Sequence, residues 1–255
     1  MTIIVPTRRF SGRVENYIQH RPSYPLAVLA TLKKECQLTE ASVIADIGSG
    51  TGILTELFLQ NGNAVLAVEP NPEMRAAGER LLRHYPYVQN IQGTAEATTL
   101  GEASVDFVTA GQAFHWFDRQ KTKDEFLRIL KLHGWVVLVW NERQTTTTPF
   151  LVAYEQLLQT YATDYEQVNH KRIDRSVVGN FFKPLDFKEQ TFANRQEFDF
   201  EGIKGRLLSS SYTPEVGQPN YEPMVAELSK IFQTHQVKDQ VRFEYVTIMY
   251  YGQLQ

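Results

Sequence analysis

Val43-Ile44-Ala45-Asp46-Ile47-Gly48-Ser49-Gly50-Thr51-Gly52, with Ala64-Val65-Leu66-Ala67-Val68-Glu69 after it, decides how this chain folds. The first segment reads as a buried strand running into a glycine-rich turn that opens a helix. The second is another buried strand, and it ends in a carboxylate about 20 residues past the first glycine. An α/β protein builds a nucleoside pocket this way. Backbone comes close at the turn, and the acid accepts hydrogen bonds from ribose hydroxyls. A dinucleotide fingerprint requires a third glycine three residues after the second, but that position is Ile53. Glycine falls instead at Gly52, and Asp46 sits two residues before the first glycine.

Outward from this core, apolar bursts alternate with helical patterns over residues 43–141, the signature of βαβ units on a parallel sheet. The pattern predicts strands at 43–47, 64–69, 88–92, 105–110 and 135–141, with helices at 51–60, 72–84 and 119–131. Pro72 stands near the first position of its helix, where a missing N–H costs nothing. Lys131-Leu132-His133-Gly134 reads as a helix end with a left-handed glycine cap. Before the sheet, residues 24–38 carry a helical apolar stripe, and residues 8–25 form an arm free to cross the pocket mouth. After Asn141 the pattern loosens. Helices are expected at 150–161 and 224–235, a long strand at 187–200 and a last strand at 241–250. Residues 145–148 are a threonine run suited to a turn.

Composition narrows the function. The chain has 255 residues, 42% of them hydrophobic, enough for a sizeable core. A net charge of −3 and a pI near 6.1 give no general pull towards nucleic acid. The single Cys36 leaves no internal disulfide and no multi-cysteine metal site, and fits a reducing compartment. The start, Met1 to Pro6, is too short and in the wrong order for a signal peptide, and no run approaches a membrane span. The expectation is a cytoplasmic protein with no stable membrane association. The six histidines lack metal-ligand spacing, so no metal is assigned.

The Asp46–Gly52 pattern resembles motif I of the class I S-adenosylmethionine-dependent methyltransferases, with Ser49 where cysteine or alanine is commoner. Phe114-His115-Trp116-Phe117, with residues 17–25 upstream, looks like the small-molecule enzymes of the trans-aconitate methyltransferase-like and UbiE-like group. The match covers residues 10–142; the last hundred follow only the order of elements. The resemblance implies a Rossmann-like, doubly wound, mostly parallel seven-stranded sheet with helices on both faces. Its last strand would be antiparallel, and a helical N-terminal arm and a helical cap would complete one domain over 1–255. Residues 10–38 would be the arm and helix over the cofactor, 43–142 the cofactor core, and 143–255 the variable cap with the closing strands.

The resemblance also implies the cofactor S-adenosylmethionine, with S-adenosylhomocysteine as product, and assigns its contacts. Asp46, Gly48, Ser49, Gly50, Thr51 and Gly52 would meet the amino-acid end and ribose, and Glu69 the ribose hydroxyls. Pro70 and Met74, then Thr94, Ala95 and Glu96, would surround the adenine. Gly111, Gln112 and Ala113 would lie beside the methyl-bearing sulfur, while Tyr17 and Arg21 fold over the cofactor. Met74 reads equally well as helix–sheet core, and Glu96 as a cap for local amides.

Tyr24, Phe114, His115, Trp116 and Tyr212 are the acceptor-pocket candidates, and Phe181, Phe182 and Tyr221 are further aromatics that suit either pocket or core. His115 is the candidate general base, since its unperturbed pKa near 6.5 suits proton abstraction; backbone hydrogen bonding is its bland alternative. Arg143 and Arg206 suit an acidic acceptor, with nothing in the sequence to single out either. The loop after the fourth strand lacks the Asn/Asp-Pro-Pro-Tyr sequence of enzymes that methylate nucleic-acid bases, which argues against a DNA or RNA partner. Methyl transfer to a small carboxylate, phenol or activated carbon is the leading function. The alternatives are a lipid carbon-methylating or cyclopropane-forming enzyme, a non-catalytic cofactor-binding protein and a nicotinamide dehydrogenase.

Overall fold

The structure, a computed structural model, describes residue 18, residues 20–163, residue 165 and residues 174–255. After helix α1 (Ala27–Cys36) come β1 (Val43–Ile47), α2 (Ile53–Gln60), β2 (Ala64–Val68), α3 (Pro72–Leu82) and β3 (Val88–Ile91). Then follow β4 (Val105–Gly111), α4 (Arg119–Ile129), β5 (Leu130–Arg143), α5 (Pro149–Tyr161), α6 (Arg175–Phe182) and β6 (Phe187–Phe198). Helices α7 (Phe200–Leu208) and α8 (Tyr221–His235) precede the closing strand β7 (Val241–Gly252).

The seven strands lie in the order β3-β2-β1-β4-β5-β7-β6. Strands β1 to β5 pair in parallel, and β7 runs antiparallel to both β5 and β6. The order reverses between β1 and β4, which opens a crevice at the carboxyl ends of these two strands. The central strands are apolar on both faces because helices cover both. Alternation along them sorts the core. Ile44, Phe107, Val137 and Val139 pack with α1 and α2 on one face, through Val28, Leu32 and Phe58. Ala45, Val108, Val136 and Leu138 pack on the other, with Phe126 of α4 and Phe181 of α6. A third apolar cluster joins α5, α7 and α8 to the first half of β7 through Tyr154, Ile203, Leu228 and Phe243.

Several boundaries differ from the sequence reading for identifiable reasons. Residues 131–134 are not a helix end. Helix α4 stops at Ile129, Leu130 pairs with Val105, and the register shifts before Trp135 meets Phe107, so the intervening residues form a bulge. The left-handed residue there is His133 (φ 63°), while Gly134 serves close packing, since a Cβ would lie 2.7 Å from Leu130. The strand expected at 187–200 ends at Phe198, because Asp199 accepts from the Gly202 amide at 2.8 Å and caps α7. Helix α6, capped by Asp174, was not anticipated either. The threonine run ends as the N-cap of α5, with Thr148 accepting from the Leu151 amide and Pro149 at the first helical position.

Phe58 is fully buried between α2 and the sheet. Phe58→Ala is expected to lower unfolding stability by roughly 3–5 kcal/mol in denaturant titration. A loss under about 1 kcal/mol would show that this face of the sheet is not packed as described.

Candidate active site

The glycine turn is fixed by β2. The Gly48 and Ser49 amides both donate to the Val68 carbonyl, at 2.8 and 3.1 Å. Gly48, Gly50 and Gly52 all take positive φ (68°, 59° and 91°), which only glycine adopts without strain. Their surroundings differ. A Cβ on Gly48 would lie 2.7 Å from that of Ala113, and one on Gly52 would lie 2.5 Å from Leu82. On Gly50 it would meet nothing closer than Met74 at 3.4 Å, so the turn is roomiest there. Thr51 Oγ1 is buried with no hydrogen-bond partner among the described residues. An orphaned hydroxyl in this uncrowded part of the turn fits a polar ligand.

Two carboxylates hold this turn. Asp46, fully buried, accepts from Thr55 Oγ1 at 2.6 Å and from Thr109 Oγ1 at 3.0 Å. It thereby ties β1 to α2 and β4. Burial raises its pKa to about 6 against the pull of the two hydroxyls, and the nearby Glu69 adds to the rise. Glu69 accepts from the Gly50 amide through Oε2 and from the Asn71 amide through Oε1, each at 2.8 Å. Burial raises its pKa too, and these two amides oppose the rise.

Across the crevice, β4 ends in Gly111 and Gln112. A Cβ on Gly111 would lie 2.6 Å from Tyr24 Oη, so glycine here lets the N-terminal segment cross the strand end. That segment is fastened further along. Asn141 Nδ2 donates to the Ser23 carbonyl at 3.2 Å, and Asn194 Nδ2 reaches the same carbonyl at 2.8 Å. Arg21 Nη2 donates to the Ser209 carbonyl at 3.0 Å. Beyond Gln112, Phe114–Trp116 form a single 3-10 turn.

These parts enclose a cavity of about 540 Å³. Asp46, Gly48, Ser49, Gly50 and Thr51 form one wall, and Gly111, Gln112, His115 and Trp116 another, with Arg21 and Tyr24 along its edge. Its far end is built from the cap, where Tyr165, Tyr212 and Tyr245 surround Arg143 and Arg206. Arg143 is ion-paired with Glu155, and Tyr165 Oη sits 2.9 Å from Arg143 Nη2.

Not every sequence-predicted residue reaches this cavity. Phe114 is a correction: it is wholly buried in the core, its ring 4.8 Å from Phe181. Phe181 and Phe182 are core as well, and Tyr221 opens α8 away from the cavity wall. Gly52 and Ala113 pack behind the turn. Glu69, Pro70, Thr94 and Ala95 lie at the carboxyl edge of β2 and β3, and Met74 in the first turn of α3, all outside the cavity walls. Glu96 accepts from the Asp118 amide at 2.9 Å, the local capping role. Tyr17 lies outside the described residues. The sequence reading left Tyr165, Tyr245 and Asn141 unmarked, because their role depends on how β7 and the cap fold back.

Residues 45–138 match the family model described as a methyltransferase domain. An uncharacterized methyltransferase of Schizosaccharomyces pombe is 29% identical over 95% of this chain and 96% of its own length. This is a class I S-adenosylmethionine-dependent methyltransferase. Two solved structures share the fold of the methyltransferase. One is a SAM-dependent methyltransferase from Aquifex aeolicus (TM-score 0.52, 12% identity, 92% of this chain and 97% of that one). The other is phosphoethanolamine N-methyltransferase 2 of Haemonchus contortus, in complex with phosphomonomethylethanolamine and S-adenosylhomocysteine (TM-score 0.54, 17% identity, 99% of this chain and 61% of that one). Among the described residues no helix is long and apolar enough to cross a membrane.

Asp46 gives a pH signature. Its proton is held more tightly in the folded state than by an ordinary aspartic acid, whose pKa is 3.8, so its contribution to stability is full below that value and lost as pH rises through about 6. Asp46→Asn removes the titration. Relative to the parent, this variant is expected to gain roughly 2–3 kcal/mol of unfolding stability between pH 4 and pH 7.5. An unchanged difference between the two, measured by urea unfolding at both pH values, would mean that Asp46 is not buried as an acid.

Proposed function

We propose that this methyltransferase transfers a methyl group to a small-molecule acceptor by in-line displacement, and that 1–255 work as one unit with the cap closing over the acceptor. The observation that carries this reading is the cavity itself, which joins the glycine turn at the switch point to an aromatic cap. Its volume, about 540 Å³, suits the reacting end of a cofactor with a small acceptor.

Bound S-adenosylmethionine would supply the methyl group on a sulfonium, leaving S-adenosylhomocysteine. The residues present fit it. Gly48 to Thr51, with the orphaned Thr51 hydroxyl, would take its polar amino-acid end, and Arg21 would face its carboxylate. A carboxylate offers about four lone-pair sites. Glu69 can therefore keep its two amide partners and still accept from ribose hydroxyls. Pro70, Met74, Thr94, Ala95 and Glu96 would border the adenine beyond the cavity.

Gly111 and Gln112 would bring the acceptor atom against the methyl group, and orientation alone can supply on the order of 7–11 kcal/mol of the barrier. His115, on the wall beside Trp116, is the group placed to take a proton from an acceptor that carries one.

Calorimetric titration with S-adenosylhomocysteine tests the cofactor half. Micromolar binding is expected for the parent protein. Glu69→Ala should weaken it at least tenfold, since the variant loses both the ribose acceptor and the tie to the Gly50 amide. Equal affinity in the two proteins would remove Glu69 from the site.

A further inference from the structure

The cap end of the cavity holds a positive charge that the described fold leaves unbalanced. Arg206, on α7, is only 6% exposed, and it lines the cavity. Its Nε donates to Tyr245 Oη at 3.3 Å and its Nη1 to Ser210 Oγ at 3.2 Å, while its guanidinium lies 5.8 Å from the Phe243 ring centroid. Glu142 and Asp174 also line the cavity. Among the described residues, however, neither they nor any other carboxylate pairs with Arg206. Its field reaches His20, whose pKa is lowered first by burial and next by Arg206.

Arg143 adds a second incomplete donor. It is satisfied on one side by Glu155 and Tyr165, yet its Nη1 is buried without a partner among the described residues. Both guanidinium groups lie in an aromatic setting. Arg143 sits 5.2 Å over the Tyr154 ring, and the Tyr165 and Tyr212 rings are 5.0 Å apart.

A guanidinium taken out of water without a counter-charge is costly, and its fork matches a carboxylate or a phosphate. The flat walls from Tyr212, Tyr245, Trp116 and Trp140 suit an aromatic ring. We propose that the methyl acceptor is an aryl compound carrying one compact oxyanion, carboxylate or phosphate, which Arg206 anchors with help from Arg143 Nη1. The oxyanion is the handle and not the reacting group: it docks at the cap, and the acceptor atom points towards Gly111 and His115. This assignment rests on the methyl-transfer reading above.

Trp116 and Trp140 stand on the cavity wall, so tryptophan fluorescence reports on occupancy. With S-adenosylhomocysteine saturating, the protein is titrated with benzoate, phenylacetate and phenyl phosphate, and with the neutral benzamide and phenylacetamide. The acids should bind at least tenfold more tightly than the amides. The ranking of phenyl phosphate against the carboxylates shows which head group the site prefers. Arg206→Met should erase the acid preference while changing the affinity for S-adenosylhomocysteine less than twofold. Arg206→Lys should keep part of the preference, because a point charge replaces the fork.

Equal binding of acids and amides, no saturable binding of any probe, or a preference that survives Arg206→Met would overturn the anchor. If Arg206→Met does not fold, the parent acid-to-amide ratio and Arg206→Lys decide the question. Absence of the preference in the parent protein, with S-adenosylhomocysteine bound, sinks the anchor alone. Failure of S-adenosylhomocysteine to bind the parent sinks the methyl-transfer reading itself.

Discussion

Three elements of this methyltransferase meet at one carboxylate. Asp46, the fourth residue of β1, accepts from Thr55 on α2 and Thr109 on β4, with no water-exposed surface of its own. A buried acid is tolerable only where its oxygens are satisfied, so these two hydroxyls fix how far α2 stands from the end of the sheet. The glycine turn spans that gap. Its first amides reach back to Val68, and the Gly50 amide is held by Glu69. The wall that faces a cofactor is thus set by a few polar bonds inside an apolar frame, and its shape is ready before any ligand arrives.

The other half of the cavity is assembled by different means. Strand β7 runs between β5 and β6, and its first half leaves the two main cores to join the cap cluster. This carries Tyr245 into the cavity, where it meets Arg206 of α7. The same stretch of sheet fastens the N-terminal segment, since Asn141 of β5 and Asn194 of β6 share the Ser23 carbonyl, and Thr247 of β7 bonds Asn141 Oδ1 at 2.5 Å. The parallel half of the sheet therefore holds the glycine turn, and the antiparallel half brings the cap to face it. On the proposed function, the acceptor would be chosen by the second of these.

The first half was legible in the sequence and the second largely was not, for physical reasons. The β1 and β2 strands are apolar but for Asp46 because both their faces are covered, and a turn with three positive-φ residues demands glycine, so Asp46 to Gly52 and Glu69 announce themselves. The partners of Glu69 do not, since they are backbone amides that leave no trace in residue type. Helices α6 and α7 are short, and only the caps Asp174 and Asp199 mark their starts. Without α7 there was no reason to choose between Arg206 and Arg143. Phe114 shows the reverse error: an aromatic next to His115 and Trp116 looks like a pocket residue, yet the 3-10 turn points it into the core. The start of β5 was hidden because Leu130 closes α4 and also opens the strand.

The central claim is that the crevice between β1 and β4 is where the cofactor sits, with the cap end left for the acceptor. A crystal structure of the complex with S-adenosylhomocysteine addresses it directly. The account requires the homocysteine portion against Gly48 to Thr51, the ribose beside Glu69, the sulfur near Gly111 and Gln112, and the space around Arg206 still open to solvent or an anion. S-adenosylhomocysteine bound elsewhere, or lying across Arg206 and Tyr245 at the cap end, would contradict it.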